Sequence, residues 1–235
     1  MIVVRRAGDR FETRANGVVS RHSFSFGEHY DPGNVGFAAL VAHNDDVLGR
    51  GGGYDTHPHA DTEIVTWVLE GSLVHRDSRG HHTELHPGVA QRLTAGSGVL
   101  HSERNDAGSG PTRFVQMWLR PDEPGLDPDL AQQEVGRSGG LLPLVSGVPG
   151  LDAALSLPTS GAALHVAALA AGESVLLPDA PRLHVFVAHG RADLEGVGRL
   201  GEADAARMTD EGGPTLTAIG AAEVLVWQLD PRPFR

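Results

Sequence analysis

Seven of the thirteen histidines fall between His57 and His101, and two of them form His57-Pro58-His59. On an extended segment, residues two apart point to the same side, so this pair presents both imidazoles together. His101-Ser102-Glu103 repeats the geometry with an imidazole and a carboxylate. Two such half-sites on facing strands can close around one ion. The chain has no cysteine, which removes thiolate ligation and disulfides and leaves His, Asp and Glu as the available donors.

Spacing sharpens this reading. Gly51-x5-His57-x-His59-x3-Glu63, closed by Gly71, and then Gly96-x-Gly98-x2-His101-x3-Asn105, resemble the two motifs of the cupin superfamily. A double motif with matching internal gaps is far more specific than a lone His-x-His. Two departures are informative. The place seven residues before the closing glycine, where that pattern usually puts its carboxylate, is Ile64, and Glu63 beside it belongs to the opposite face of a regular strand. In the second motif Gly96 stands where proline is common, and Glu103 supplies a carboxylate in phase with His101.

That exchange of carboxylate from the first motif to the second resembles the pirin family. The matching segments are His57-Pro58-His59, Thr66-Trp67-Val68-Leu69-Glu70-Gly71, His75-Arg76-Asp77-Ser78 and Thr94 through Glu103, with further similarity at Arg21 to Phe26, Tyr30-Asp31-Pro32, Asn44-Asp45-Asp46 and Pro121-Asp122-Glu123. The resemblance covers most of the first half and is faint beyond Ser156. It implies an all-β bicupin of two double-stranded β-helix (jelly-roll-like) barrels, the first metal-binding and the second degenerate. Carried over position by position, it implies His57, His59, His101 and Glu103 as ligands of one divalent transition metal, with Fe suggested by the family and Mn, Co, Ni, Cu or Zn compatible with the donors. Aligning Gly71 with Gly190 puts Leu176 and Pro178 where His57 and His59 would fall, so no second ion is expected.

The activity implied is a quercetin 2,3-dioxygenase-type ring cleavage of a flavonol or similar chelating substrate by dioxygen. Three imidazoles and a carboxylate leave a six-coordinate ion with two open positions for such a chelator. Glu103 is then both ligand and candidate catalytic base for the substrate hydroxyl. The alternative implied is a non-catalytic, redox-responsive regulatory module that binds a protein partner.

The elements that must hold these residues read as strands. Period-two or apolar runs occur at Gly36 to Ala42, Glu63 to Leu69, Arg113 to Leu119, Ala163 to Ala168, Leu183 to Val187 and Val224 to Leu229, and the 31 glycines and 15 prolines punctuate the intervals as tight turns. The second half repeats the first in outline. Trp67 to Leu73 lines up with Phe186 to Ala192, Phe37 to Leu40 with Val166 to Leu169, and Gln116 to Leu119 with Leu225 to Leu229. The proline-rich stretch between them carries a possible short helix at Asp127 to Val135. The predicted organisation is an N-terminal cupin over 1–125, an interdomain segment over 126–155 and a degenerate cupin over 156–235.

All nineteen basic residues are arginine, and the formal charge of −11 repels phosphate backbones and anionic lipid, so direct nucleic-acid or membrane binding is not expected. Met1-Ile2-Val3-Val4-Arg5-Arg6 lacks the order of a secretory signal, and a cytoplasmic monomer is the expectation. Among the other candidates, Glu63 reads as a solvated or hydrogen-bonded strand residue, and His75, His81, His82 and His86 as surface hairpin positions. His184 and His189 read as ordinary strand or turn residues, and Phe24 and Phe26 as core packing rather than pocket lining.

Overall fold

The structure is a computed structural model that describes residues 1–106, 110–136 and 140–231. Among these the regular elements are strands, apart from one short 3-10 turn at Ala7–Asp9. The strands used below are β1 (Ile2–Arg5), β2 (Phe11–Ala15), β3 (Val18–His22), β4 (Leu40–Leu48), β5 (Gly53–His59), β6 (Glu63–Glu70), β7 (Leu73–Asp77), β8 (His82–Leu85), β9 (Val89–Thr94), β10 (Val99–Arg104), β11 (Thr112–Leu119) and β12 (Asp129–Glu134). The chain forms two compact units, Phe11–Val135 and the combination of Met1–Arg10 with Gly136–Arg235.

In the unit Phe11–Val135, a seven-stranded sheet ordered β12-β9-β6-β11-β4-β3-β2 accompanies a four-stranded sheet ordered β5-β10-β7-β8. The second unit repeats that plan. Its seven-stranded sheet runs β1, Ala205–Thr209, Arg182–His189, Ala222–Leu229, Ala162–Leu169, Leu142–Ser146 and Leu155–Ser156, and its four-stranded sheet runs Ser174–Leu176, Thr215–Ala218, Ala192–Leu194 and Gly198–Leu200. The central order β6-β11-β4 and its counterpart Arg182–His189, Ala222–Leu229, Ala162–Leu169 are the repeats read from the sequence, so the fold is the all-β bicupin expected.

β-branched and aromatic residues favour the pleated, half-buried surface of a strand, and β6 (EIVTWVLE) is buried on both faces over most of its length. Its inward residue Val68 packs with Val18, Leu48, Leu73, Leu85 and Phe114. A second cluster of Ile64, Leu93, Ala95 and Val99 lies nearer the histidines, with Trp118 and Leu130 packed against it. The turn after β6 needs Gly71, whose φ is +74° and whose missing Cβ would lie 2.6 Å from the Pro111 carbonyl oxygen.

Two sequence expectations are corrected. Asp127 to Val135 is not helical: β12 runs antiparallel along β9 from Asp129 opposite Thr94 to Glu134 opposite Val89. The segment DLAQQE contains the good helix formers Leu, Ala, Gln and Glu, but a free sheet edge offers a continuous ladder and Gln132 adds a hydrogen bond to Gln91, so tertiary pairing overrides local propensity. The boundaries 1–125, 126–155 and 156–235 also move. β1 pairs with Ala205–Thr209 in the second unit, β12 completes the sheet of the first, and Leu142–Ser146 already belongs to the second.

Candidate metal centre

β5 and β10 pair antiparallel with His57 opposite His101 and His59 opposite Val99. Between His101 and Glu103 the register shifts, because Glu103 faces Tyr54, so β5 spends one residue more than β10 across this stretch. Such a bulge bends the strand and re-aims its side chains. Close approach of the two strands requires Gly53, where an added Cβ would lie 2.3 Å from the Glu103 carbonyl oxygen at a φ of +153°.

Three imidazoles converge here. Ring centroids are 4.5 Å apart for His57 and His101, 4.9 Å for His57 and His59, and 4.9 Å for His59 and His101, and one nitrogen from each ring lies within 4.8 Å of the others. His57 donates its Nδ1–H to the Asp55 carbonyl at 2.7 Å, which leaves Nε2 as the free lone pair. The His59 Nε2 and both ring nitrogens of His101 are buried and have no hydrogen-bond partner. Burial, reinforced by the neighbouring histidines, lowers His59 to about 4 and His101 to about 3. Orphaned neutral nitrogens aimed at one another are the donor set a divalent ion takes, so the residues fit such an ion.

Glu103 is buried on the same face of β10 as His101. Its two carboxylate oxygens accept hydrogen bonds from the Gln116 Nε2 at 2.9 and 2.7 Å, and the Gln116 Oε1 accepts the Trp118 indole N–H at 3.0 Å. Neither Gln116 nor Trp118 was singled out as a site residue from sequence. The available signal was the alternation Phe114, Gln116, Trp118, a polar residue in the inward phase of an otherwise apolar strand. Gln116→Leu is expected to release Glu103 from its fixed orientation and reduce metal affinity about 10- to 100-fold, the usual cost of losing a partner of a ligand. Titration of the variant with Co(II) reads this directly, and unchanged affinity would remove Gln116 from the centre.

Glu103 groups by distance with His75 and His101, whose ligand atoms also lie within 4.8 Å of one another. The surface reading of His75 is therefore corrected, since the residue is fully buried. β7 lies between β10 and β8, and His75 shares the inward phase of Leu73, opposite Glu103. His81, His82 and His86 are exposed as expected, with the His81 ring on the Asp77 carboxylate at 2.8 Å.

Ile64 occupies an apolar cluster where the usual cupin carboxylate would stand, and Glu63 lies outside both donor groups. Glu63 is buried rather than solvated and accepts the Thr94 hydroxyl at 2.7 Å, beside the ion pair of Arg92 and Asp129. Burial lifts its carboxyl from 4.5 to about 7, against the opposing Thr94 hydrogen bond. A raised folded value favours the protonated form, so this stabilisation is complete below about 4.5 and is lost as pH rises through 7. Glu63→Gln is expected to make the fall in Tm between pH 5 and pH 8 shallower by a few degrees. A wild-type slope in that variant would assign the pH dependence to another group, of which Asp46 is the clearest, its carboxyl also lifted to about 7 by burial.

A cavity of about 590 Å³ is lined among others by Ser20, His22, Phe26, His29, Gly53 and Tyr54 and by none of the donors, whereas a second of about 600 Å³ is lined by His59 with Pro58, Ser78 and Leu100. Tyr54 lies 6.1 Å from the His57 ring and donates its hydroxyl to Asp46 at 3.1 Å. From the other wall, Phe26 stacks on His22 at 4.8 Å and meets the edge of Trp118 at 5.2 Å, and Trp118 meets His59 at 4.8 Å. Phe24 is buried as core, whereas Phe26 lines the cavity and its core reading is corrected. In the second unit Leu176 ends the strand Ser174–Leu176, which holds the edge position that β5 holds in the first.

The pirin family profile matches residues 4–119. A quercetin 2,3-dioxygenase of Escherichia coli (strain K12) is 34% identical over 232 residues, covering 98% of this chain and all of its own. The chain belongs to the pirin family. A Mycobacterium tuberculosis (strain ATCC 25618 / H37Rv) protein provisionally named quercetin 2,3-dioxygenase is 50% identical over 97% of this chain and 95% of its own length. The crystal structure of the bacterial pirin YhhW from Escherichia coli in complex with nickel(II) superposes with a TM-score of 0.91 at 33% identity, over 99% of this chain and 100% of that one. At the level of the pirin family the site is a divalent-metal centre of the cupin dioxygenase type.

Proposed function

We propose that this pirin is a metal-dependent dioxygenase that cleaves a flavonol or a similar chelating, ring-bearing substrate, with His57, His59, His101 and Glu103 holding one divalent ion. The observation that carries the reading is the convergence of three imidazoles with a buried carboxylate on the same strand face, with the aromatic rings of Tyr54 and Trp118 against two of the imidazoles. A bound ion would supply Lewis acidity to a chelating hydroxyl and an electron path to dioxygen.

The protein's own residues do the rest. Phe26, His22 and Tyr54 offer flat faces to the rings of the substrate, and about 590 Å³ is within the range that encloses a drug-sized ligand. Glu103 accepts the proton of the substrate hydroxyl at its carboxylate, held in place by the Gln116 amide. Trp118 fixes that amide through its indole N–H while its ring packs against His59. The E. coli relative named quercetin 2,3-dioxygenase supports this substrate class. Iron is the proposed physiological ion, and nickel, bound by the E. coli pirin, is a further candidate.

The test is anaerobic reconstitution with Fe, Mn, Co, Ni or Cu, followed by quercetin turnover and oxygen uptake. Turnover with one of these metals and stoichiometric oxygen uptake supports the dioxygenase. Binding of one ion with no oxygen consumption in any form would sink it and leave the regulatory, partner-binding reading.

A further inference from the structure

Two donor groups share His101 here, His57 with His59 and His75 with Glu103. His75 faces Glu103 directly across the β7 and β10 pairing, and its ring lies 5.3 Å from that of His101. Its Nε2 lies 3.4 Å from the Asp77 Oδ2, and its Nδ1 is buried without a hydrogen-bond partner. Asp77 is itself fixed, accepting the backbone N–H groups of Arg79 and His81 and the His81 ring N–H. A ligating histidine usually directs its other ring nitrogen at a carboxylate or carbonyl, which sets its tautomer. His57 has that arrangement with the Asp55 carbonyl, and His75 has it with Asp77. A buried nitrogen without a partner carries a desolvation cost that donation to an ion offsets.

The distances permit it. Two nitrogen donors on opposite sides of an ion bound at about 2.1 Å stand about 4.2 Å apart, so three donors within 4.8 Å surround one ion after small adjustments. The two donor groups differ in burial: His57 and His59 are only partly buried, whereas His75, His101 and Glu103 are all buried.

We propose that the centre has two overlapping ion positions that share His101 and Glu103, an outer one completed by His57 and His59 and an inner one completed by His75. His75 is thereby a further metal donor. This rests on the metal-centre reading above. A chelating substrate that displaces His57 and His59 leaves the ion three donors of the protein's own.

Co(II) binding to the full chain tests the idea, with occupancy by metal analysis and affinity by calorimetry. Wild type binding one Co(II) upholds the centre itself, and no binding overturns both the centre and the inner position. The variant His57→Ala/His59→Ala is expected to retain one Co(II), weakened at least about 100-fold, and the further change His75→Ala is expected to abolish that binding. If the double variant loses the ion while wild type keeps it, or if adding His75→Ala leaves its affinity unchanged, the inner position is wrong and the centre stands. Should the buried substitution unfold the barrel, pulsed EPR of the Cu(II)-loaded double variant counts the donors instead. Two coordinated imidazoles support the proposal, and one overturns it.

Discussion

His101→Ala is expected to strip the protein of its ion. His101 is the one residue common to both donor groups, it is buried, and neither of its nitrogens has another partner. Losing an outer partner of a ligand already costs 10- to 100-fold in affinity, so removing a direct donor is expected to cost at least about 100-fold. Calorimetric titration with Ni(II) or Co(II) measures it. An affinity within about threefold of wild type, less than 1 kcal/mol, would mean that the ion lies elsewhere. The same variant is expected to lose oxygen uptake with quercetin, and both losses are expected to appear together in every metal form.

Glu103→Gln separates binding from chemistry. The substitution keeps the size of the side chain but removes its charge and its ability to accept a proton, and it sets an amide against the Gln116 amide that now donates to both oxygens. Positioned general bases contribute about 10²- to 10⁴-fold, so kcat for a flavonol is expected to fall by that factor even when excess metal restores occupancy. Single-turnover kinetics at saturating metal read the chemical step directly. If kcat recovers fully once the ion is restored, Glu103 serves as a ligand alone and the hydroxyl proton goes to another group. Asp46, buried on the strand next to Phe114 and accepting the hydroxyl of Tyr54, is then the next candidate.

These expectations build on features of very different legibility. His57-x-His59 and His101-x-Glu103 were visible as half-sites because a strand has a period of two, and that period is a property of the backbone alone. The same rule placed Glu63 on the opposite face from Ile64, where it bonds to Thr94. The duplicated plan was visible too, since Trp67 to Leu73 and Phe186 to Ala192 each pair a strand with a glycine turn, and the two seven-stranded sheets share their central order.

His75 was misread because a histidine two residues from an aspartate near a hairpin has no local signature of burial. Its environment comes from β10, some 26 residues further along. The Gln116 clamp on Glu103 spans 13 residues, and the helix-like segment at Asp129–Glu134 became a strand by pairing with β9. The first strand, Ile2–Arg5, joined Ala205–Thr209 across some 200 residues. By itself, then, the sequence determined the strand character, the inward phase of each donor and the two half-sites, because these follow from local backbone geometry. Only the tertiary structure decided which strands are neighbours, and with them the burial of His75 and the orientation of Glu103, because hydrogen-bonded pairing between distant segments leaves no periodic trace in either one.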